Sequence, residues 1–102
     1  MIMKLYWTSV EFEILNPSEY ENCIGGFVYL FFKAYDVRDA IPKIENAISE
    51  ENFKIIQIEF ISEYDEIPWD TEEEQKLYDS LASKAQDSDE IIWDDLYTYE
   101  EK

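Results

Sequence analysis

The run 27-FVYLFFKAY-35, followed at once by 36-DVRDAIPKIENAIS-49, decides how this chain folds. In the first part Val28, Leu30, Phe32 and Ala34 alternate with Phe27, Tyr29, Phe31 and Tyr35, so a strand here is apolar on both faces. That suits a central strand covered on both sides, or one whose aromatic face meets something else. In the second part the period changes. Val37, Ala40, Ile41, Ile44, Ala47 and Ile48 recur at helical spacing and define one apolar stripe. Asp36 or Asp39 can cap this helix. Pro42 falls in the first turn, where its missing N–H costs little, only if Asp39 is the cap, so Asp39 is the expected start.

Upstream, residues 4–15 place Tyr6, Thr8, Val10, Phe12 and Ile14 opposite Trp7, Ser9, Glu11 and Glu13, which reads as a strand with one wet face. Residues 16–22 are polar and turn-rich and lead to Gly25-Gly26, the only glycines in the chain, so this stretch is expected to be a loop. Downstream, 54–61 (KIIQIEFI) alternates as a third strand, and the intervening helix has the length that a parallel crossover needs. Residues 62–70 read as a loop. Thr71 with Glu74 forms a capping box that opens a second helix with Leu77, Leu81 and Ala85 as its narrow apolar stripe. Residues 90–99 (EIIWDDLYTY) close the chain as a strand, with Asp94-Asp95 placed to interrupt it as a bulge. The expected architecture is one α+β domain over residues 1–102 in the order β-β-α-β-α-β, a two-layer arrangement with a mixed four-stranded sheet and both helices on one face. Trp7, Phe27, Tyr29, Phe31, Trp93, Tyr97 and Tyr99 would then make an aromatic outer face that needs a lid or a partner.

Charge is the second constraint. The 102 residues hold 25 Asp and Glu against 8 Lys and Arg, with no histidine, for a net charge of −17. Residues 1–58 carry nine acids and five bases, a balance of −4; residues 59–102 carry sixteen against three, a balance of −13. A chain of this sign with no basic cluster gains no counterion release from a polyanion, so neither direct nucleic-acid binding nor binding to an anionic membrane surface is expected. The 46% hydrophobic and 17% aromatic content argues for a folded chain despite the charge. A single cysteine, Cys23, permits no internal disulfide, and no apolar run approaches membrane-spanning length; the expected setting is reducing and cytoplasmic.

The same counts narrow the chemistry. Without histidine there is no Ser-His or Cys-His pair, and Cys23 lies near Glu19 and Glu21, which disfavour its thiolate. Two adjacent glycines build neither a Walker A loop nor a dinucleotide fingerprint. The carboxylates of Asp87-Ser88-Asp89-Glu90 and Asp94-Asp95 lack the glycine and distal glutamate of an EF-hand. No catalytic residue, cofactor or metal is therefore expected. What remains is acid interleaved with aromatic, and the expected partner-binding residues are Glu63, Asp65, Glu66, Trp69, Asp70, Trp93, Asp94, Asp95 and Tyr97. Aromatic rings supply desolvated anchor area while carboxylates steer and pair with a cationic surface.

In size, acidity, α+β pattern and tyrosine/tryptophan-acid interleaving, the whole chain resembles the small immunity proteins that neutralise bacterial polymorphic or contact-dependent growth-inhibition toxins. The resemblance is one of composition, without a signature motif. It implies a cytosolic inhibitor bound one-to-one to a basic toxin domain, often a nuclease. Two other readings stand beside it. A nucleic-acid mimic would use the runs 70–74 and 87–95 as phosphate surrogates, and a stand-alone domain would dimerise through its sheet face.

Overall fold

The structure, a computed structural model, describes residues 2–16, 23–64 and 71–100. Its elements are β1 (Lys4–Ile14), β2 (Cys23–Ala34), α1 (Val37–Glu50), β3 (Phe53–Glu63), α2 (Glu72–Gln86), β4 (Ile92–Trp93) and β5 (Tyr97–Glu100). β1 lies between β2 and β3 and is antiparallel to both; β4 and β5 pair in turn along the far edge of β2, also antiparallel. β2 and β3 therefore run in the same direction, as a crossover through α1 requires, but β1 fills the slot between them. The expected mixed sheet is for this reason antiparallel throughout. The expected last strand is two short ones, because the chain leaves the ladder at 94–96. The sheet has five strands rather than four.

The helices do not share a face. Ala40, Ile44 and Ile48 of α1 pack on Tyr6, Val10 and Phe12 of β1 and on Val28, Leu30 and Phe32 of β2. On the other side Tyr78, Ala82 and Ala85 of α2 pack with Phe31, with Leu5, Trp7, Tyr29 and Tyr64 gathered around them. The two-layer expectation is corrected accordingly: β2 is apolar on both faces, and each face takes its own helix. Trp7 is the hub of the second layer, with its ring centroid 4.7 Å from Phe60, 5.5 Å from Tyr29 and 5.9 Å from Tyr64. Tyr64 also donates a hydrogen bond of 2.6 Å to Asp79 Oδ1, tying the end of β3 to α2.

Local details depart from expectation for identifiable reasons. Asp36, not Asp39, is the N-cap of α1; its Oδ1 accepts from the Asp39 amide at 2.8 Å. Asp39 instead accepts from the Tyr35 amide at 2.9 Å, a bond that holds its carboxyl below the ordinary value, and it pairs with Lys43 at 3.4 Å. Pro42 consequently sits inside the helix and removes one backbone bond. Thr71 caps α2 as expected, accepting from the Glu74 amide at 3.0 Å. Its buried stripe, however, is Tyr78, Ala82 and Ala85, and Leu77 is exposed. Gly25 and Gly26 lie inside β2 rather than in a loop. A side chain at Gly25 would strike the Phe12 carbonyl and come within 2.8 Å of the Tyr99 hydroxyl, and one at Gly26 would come within 2.6 Å of the Tyr97 carbonyl and 3.0 Å of the Phe12 ring. The two positions are left bare so that Tyr99 on one face and Phe12 on the other can lie against the strand. In β3 the pairing with β1 skips Ile56 and Glu59, two β-bulges in one strand.

Because one sheet carries both layers, Ile44→Ala from the α1 side and Phe31→Ala from the α2 side should each cost about 2–5 kcal/mol of stability. Tryptophan fluorescence and far-UV circular dichroism should still report one coincident urea transition in both variants.

Candidate functional site

α2 packs on the aromatic layer around Phe31, with Leu5, Trp7, Tyr29 and Tyr64 beneath it. Beyond its N-terminal turns the sheet opens into a cleft of about 450 Å³, floored by Ser9 of β1 and by Phe27, Val28 and Tyr29 of β2. Glu59 of β3, Glu74 and Tyr78 of α2, and Tyr97 of β5 form its walls. Every charged side chain lining it is acidic.

Each wall has a local cause. Glu59 is one of the two residues that the β1–β3 pairing skips, so the bulge turns its side chain onto the α2 face, where the Ser9 hydroxyl donates to Oε1. The Thr71 cap fixes the first turn of α2 and with it Glu74. Tyr78 meets Tyr29 edge to face, with centroids 5.7 Å apart and planes at 84°. Tyr97 follows the 94–96 break directly and is 53% exposed at the mouth. Next to the cleft on the same face, the Tyr99 hydroxyl donates to Glu11 Oε2 at 2.8 Å, and Gln57 donates to Glu11 Oε1 at 3.1 Å. The bond to Glu11 raises the Tyr99 phenol above its ordinary value.

Behind the tyrosines lies Asp94, 7% exposed, with its amide bonded to the Tyr29 carbonyl at 3.0 Å. Its Oδ2 has no hydrogen-bond partner among the described residues, and the nearby Asp95 amide and Tyr78 hydroxyl favour its charged form. Burial is the main cause that raises its pKa, and it also raises those of Tyr78 and Tyr29; Tyr78 is in addition hydrogen-bonded to Tyr97.

Of the residues expected from sequence, Tyr97 lines the cleft and Asp94 lies behind its tyrosines. Trp93 projects to the opposite face and is half-buried against the α1 core; Asp95 is exposed. Glu63 is at the end of β3, paired at the surface with Lys4 at 3.6 Å. Asp65, Glu66, Trp69 and Asp70 lie outside the described residues. Ser9, Tyr29, Glu59, Glu74 and Tyr78 were not expected as site residues. A small polar residue between Trp7 and Glu11 was the available signal for Ser9; Glu59 had none, because a bulge leaves no mark in an alternating pattern.

Among the described residues, no three acidic or cysteine side chains are placed to hold a metal ion together, and no helix is long and apolar enough to cross a membrane. No protein-family model, curated protein or solved structure matches the chain.

Two predictions follow from the placement of Asp94 and Trp93. The folded pKa of Asp94 lies above its ordinary 3.8, so the stability this group carries is complete below that value and is lost as pH rises through the folded one. Asp94→Asn should therefore be more stable than the parent at neutral pH, with the gap closing toward pH 3.8, measured by urea unfolding across that range. Trp93→Ala should lower Tm, as expected for a ring that packs on the core.

Proposed function

We propose that this chain is a proteinaceous inhibitor of the immunity type, which binds a basic toxin domain in the cytosol and neutralises it by acidic-aromatic complementarity. The observation that carries this reading is the tyrosine-walled cleft at the N-terminal end of α2, whose charged lining is all acidic. Glu59, Glu74, Tyr78 and Tyr97 of that lining belong to residues 59–102, the part of the chain with a balance of −13. Tyrosine is well suited to such a surface because it buries a large rigid ring while keeping a hydroxyl for a polar partner. The field of the surrounding carboxylates attracts a cationic surface from a distance, and the cleft gives it a defined place to dock. On this reading the chain performs no chemistry of its own.

Nucleic-acid mimicry accounts for the charge less well. A mimic needs its carboxylates along one continuous face, whereas the acids of α1, including Glu45 and Glu50, lie on one side of the sheet and Glu59 and Glu74 on the other. Homodimerisation would have to bring together two copies that each carry −17.

The test is inhibition and association kinetics against basic toxin nucleases. Neutralisation of one nuclease, with an association rate that falls as salt shortens the screening length to about 8 Å at physiological ionic strength, is the expected result. Equal inhibition of many unrelated nucleases would replace the reading with mimicry, and salt-independent association would remove its electrostatic basis.

A further inference from the structure

The cleft is more specific than an acidic surface. Its rings are flat, Tyr29 of the floor and Tyr78 of the wall set at 84° to form a corner, with Tyr97 at the mouth. Its two carboxylates come from different elements, Glu59 from a β3 bulge and Glu74 from the first turn of α2. Ser9 holds Glu59 in place. Outside this lining, the Asp94 carboxylate is more than nine-tenths buried behind the tyrosines and has an oxygen with no hydrogen-bond partner among the described residues. Among the described residues, no lysine or arginine lines the cleft to answer these charges.

A cation that fits must stack on rings and offer hydrogen bonds in several directions. A guanidinium does both: it is planar, weakly hydrated, carries five N–H donors and packs on aromatic faces. An ammonium is a compact and strongly hydrated point charge, which a ring-walled cleft desolvates at greater cost. We propose that this cleft receives an arginine side chain of the basic partner, its guanidinium stacked against the tyrosines and hydrogen-bonded to Glu59 and Glu74. The inference rests on the inhibitor reading for the source of the arginine, whereas the chemistry of the cleft can be tested without any partner.

The experiment titrates the chain, at fixed ionic strength, with N-acetylarginine N-methylamide, its lysine counterpart and its neutral citrulline counterpart, and follows backbone amide shifts by NMR. The arginine compound should shift Ser9, Tyr29, Glu59, Glu74, Tyr78 and Tyr97 along one saturable curve. The lysine compound should bind more weakly and the citrulline compound should leave the cleft unmoved. Glu59→Gln and Tyr97→Ala, both at accessible positions, should keep the dispersed spectrum of the folded parent; Glu59→Gln should weaken arginine binding about tenfold, as expected on losing one charge-assisted hydrogen bond. Shifts that scatter over the acidic surface without saturating, citrulline acting as well as arginine, a silent titration, or an unaffected Glu59→Gln would each overturn the proposal. A silent titration in a chain that still neutralises a basic nuclease would remove the arginine site and leave the inhibitor reading. Saturable binding in a chain that neutralises none would retain the site and remove that reading.

Discussion

A strand that is apolar on both faces cannot rest against water on either, and β2 is such a strand. Val28, Leu30 and Phe32 are 1% exposed or less on one side, and Phe31 is fully buried on the other. The rest of the architecture answers that requirement. α1 crosses over β1 to cover one side, and α2 returns to cover the other. The second cover is the thinner of the two. α2 buries two alanines and a tyrosine where α1 buries two isoleucines and two alanines. Small residues let the helix lie close to the bulky rings of the sheet. Among the described residues this cover leaves the tyrosine-lined cleft beside the N-terminal turns of α2.

Much of this arrangement was legible in the sequence, because the relevant signals are periodic. The alternation of 4–15, 27–35 and 54–61 and the helical stripe from Val37 to Ile48 depend on near neighbours in the chain, and the structure places strands and a helix there. What was not legible depends on partners distant in sequence. A Gly-Gly pair reads as a turn unless Tyr99 and Phe12 are known to lie against it. The side of the sheet taken by α2 is decided by the fit of Tyr78 to Tyr29 and Phe31, with ring centroids 5.7 and 6.1 Å away, and not by the spacing of its leucines. Asp36 and Asp39 are equally good caps by residue type; the Tyr35 amide gives Asp39 another role.

The candidate site follows the same division. Interleaving of acids with aromatics singled out Tyr97, which lines the cleft, and Asp94, which lies behind its tyrosines. It also singled out Trp93, one residue from Asp94, which the alternation of an extended chain sends to the opposite face. The cleft takes residues from four strands beside the helix, and a linear reading of the acidic second part of the chain misses Ser9 and Tyr29, which come from the first two strands.

The two bulges of β3 have a meaning beyond the position of Glu59. At 11 residues β3 is a long strand at the border of the sheet, with β1 as its only paired neighbour among the described residues, and such a border is a template on which further strands can add. Skipped residues at Ile56 and Glu59 break the ladder geometry twice along this length, and Lys54, Glu59 and Glu63 set charges of both signs beside it. A newcomer would meet only short stretches of regular spacing between kinks. The irregularity therefore offers an added strand little regular ladder along the border of a sheet rich in isoleucine and phenylalanine.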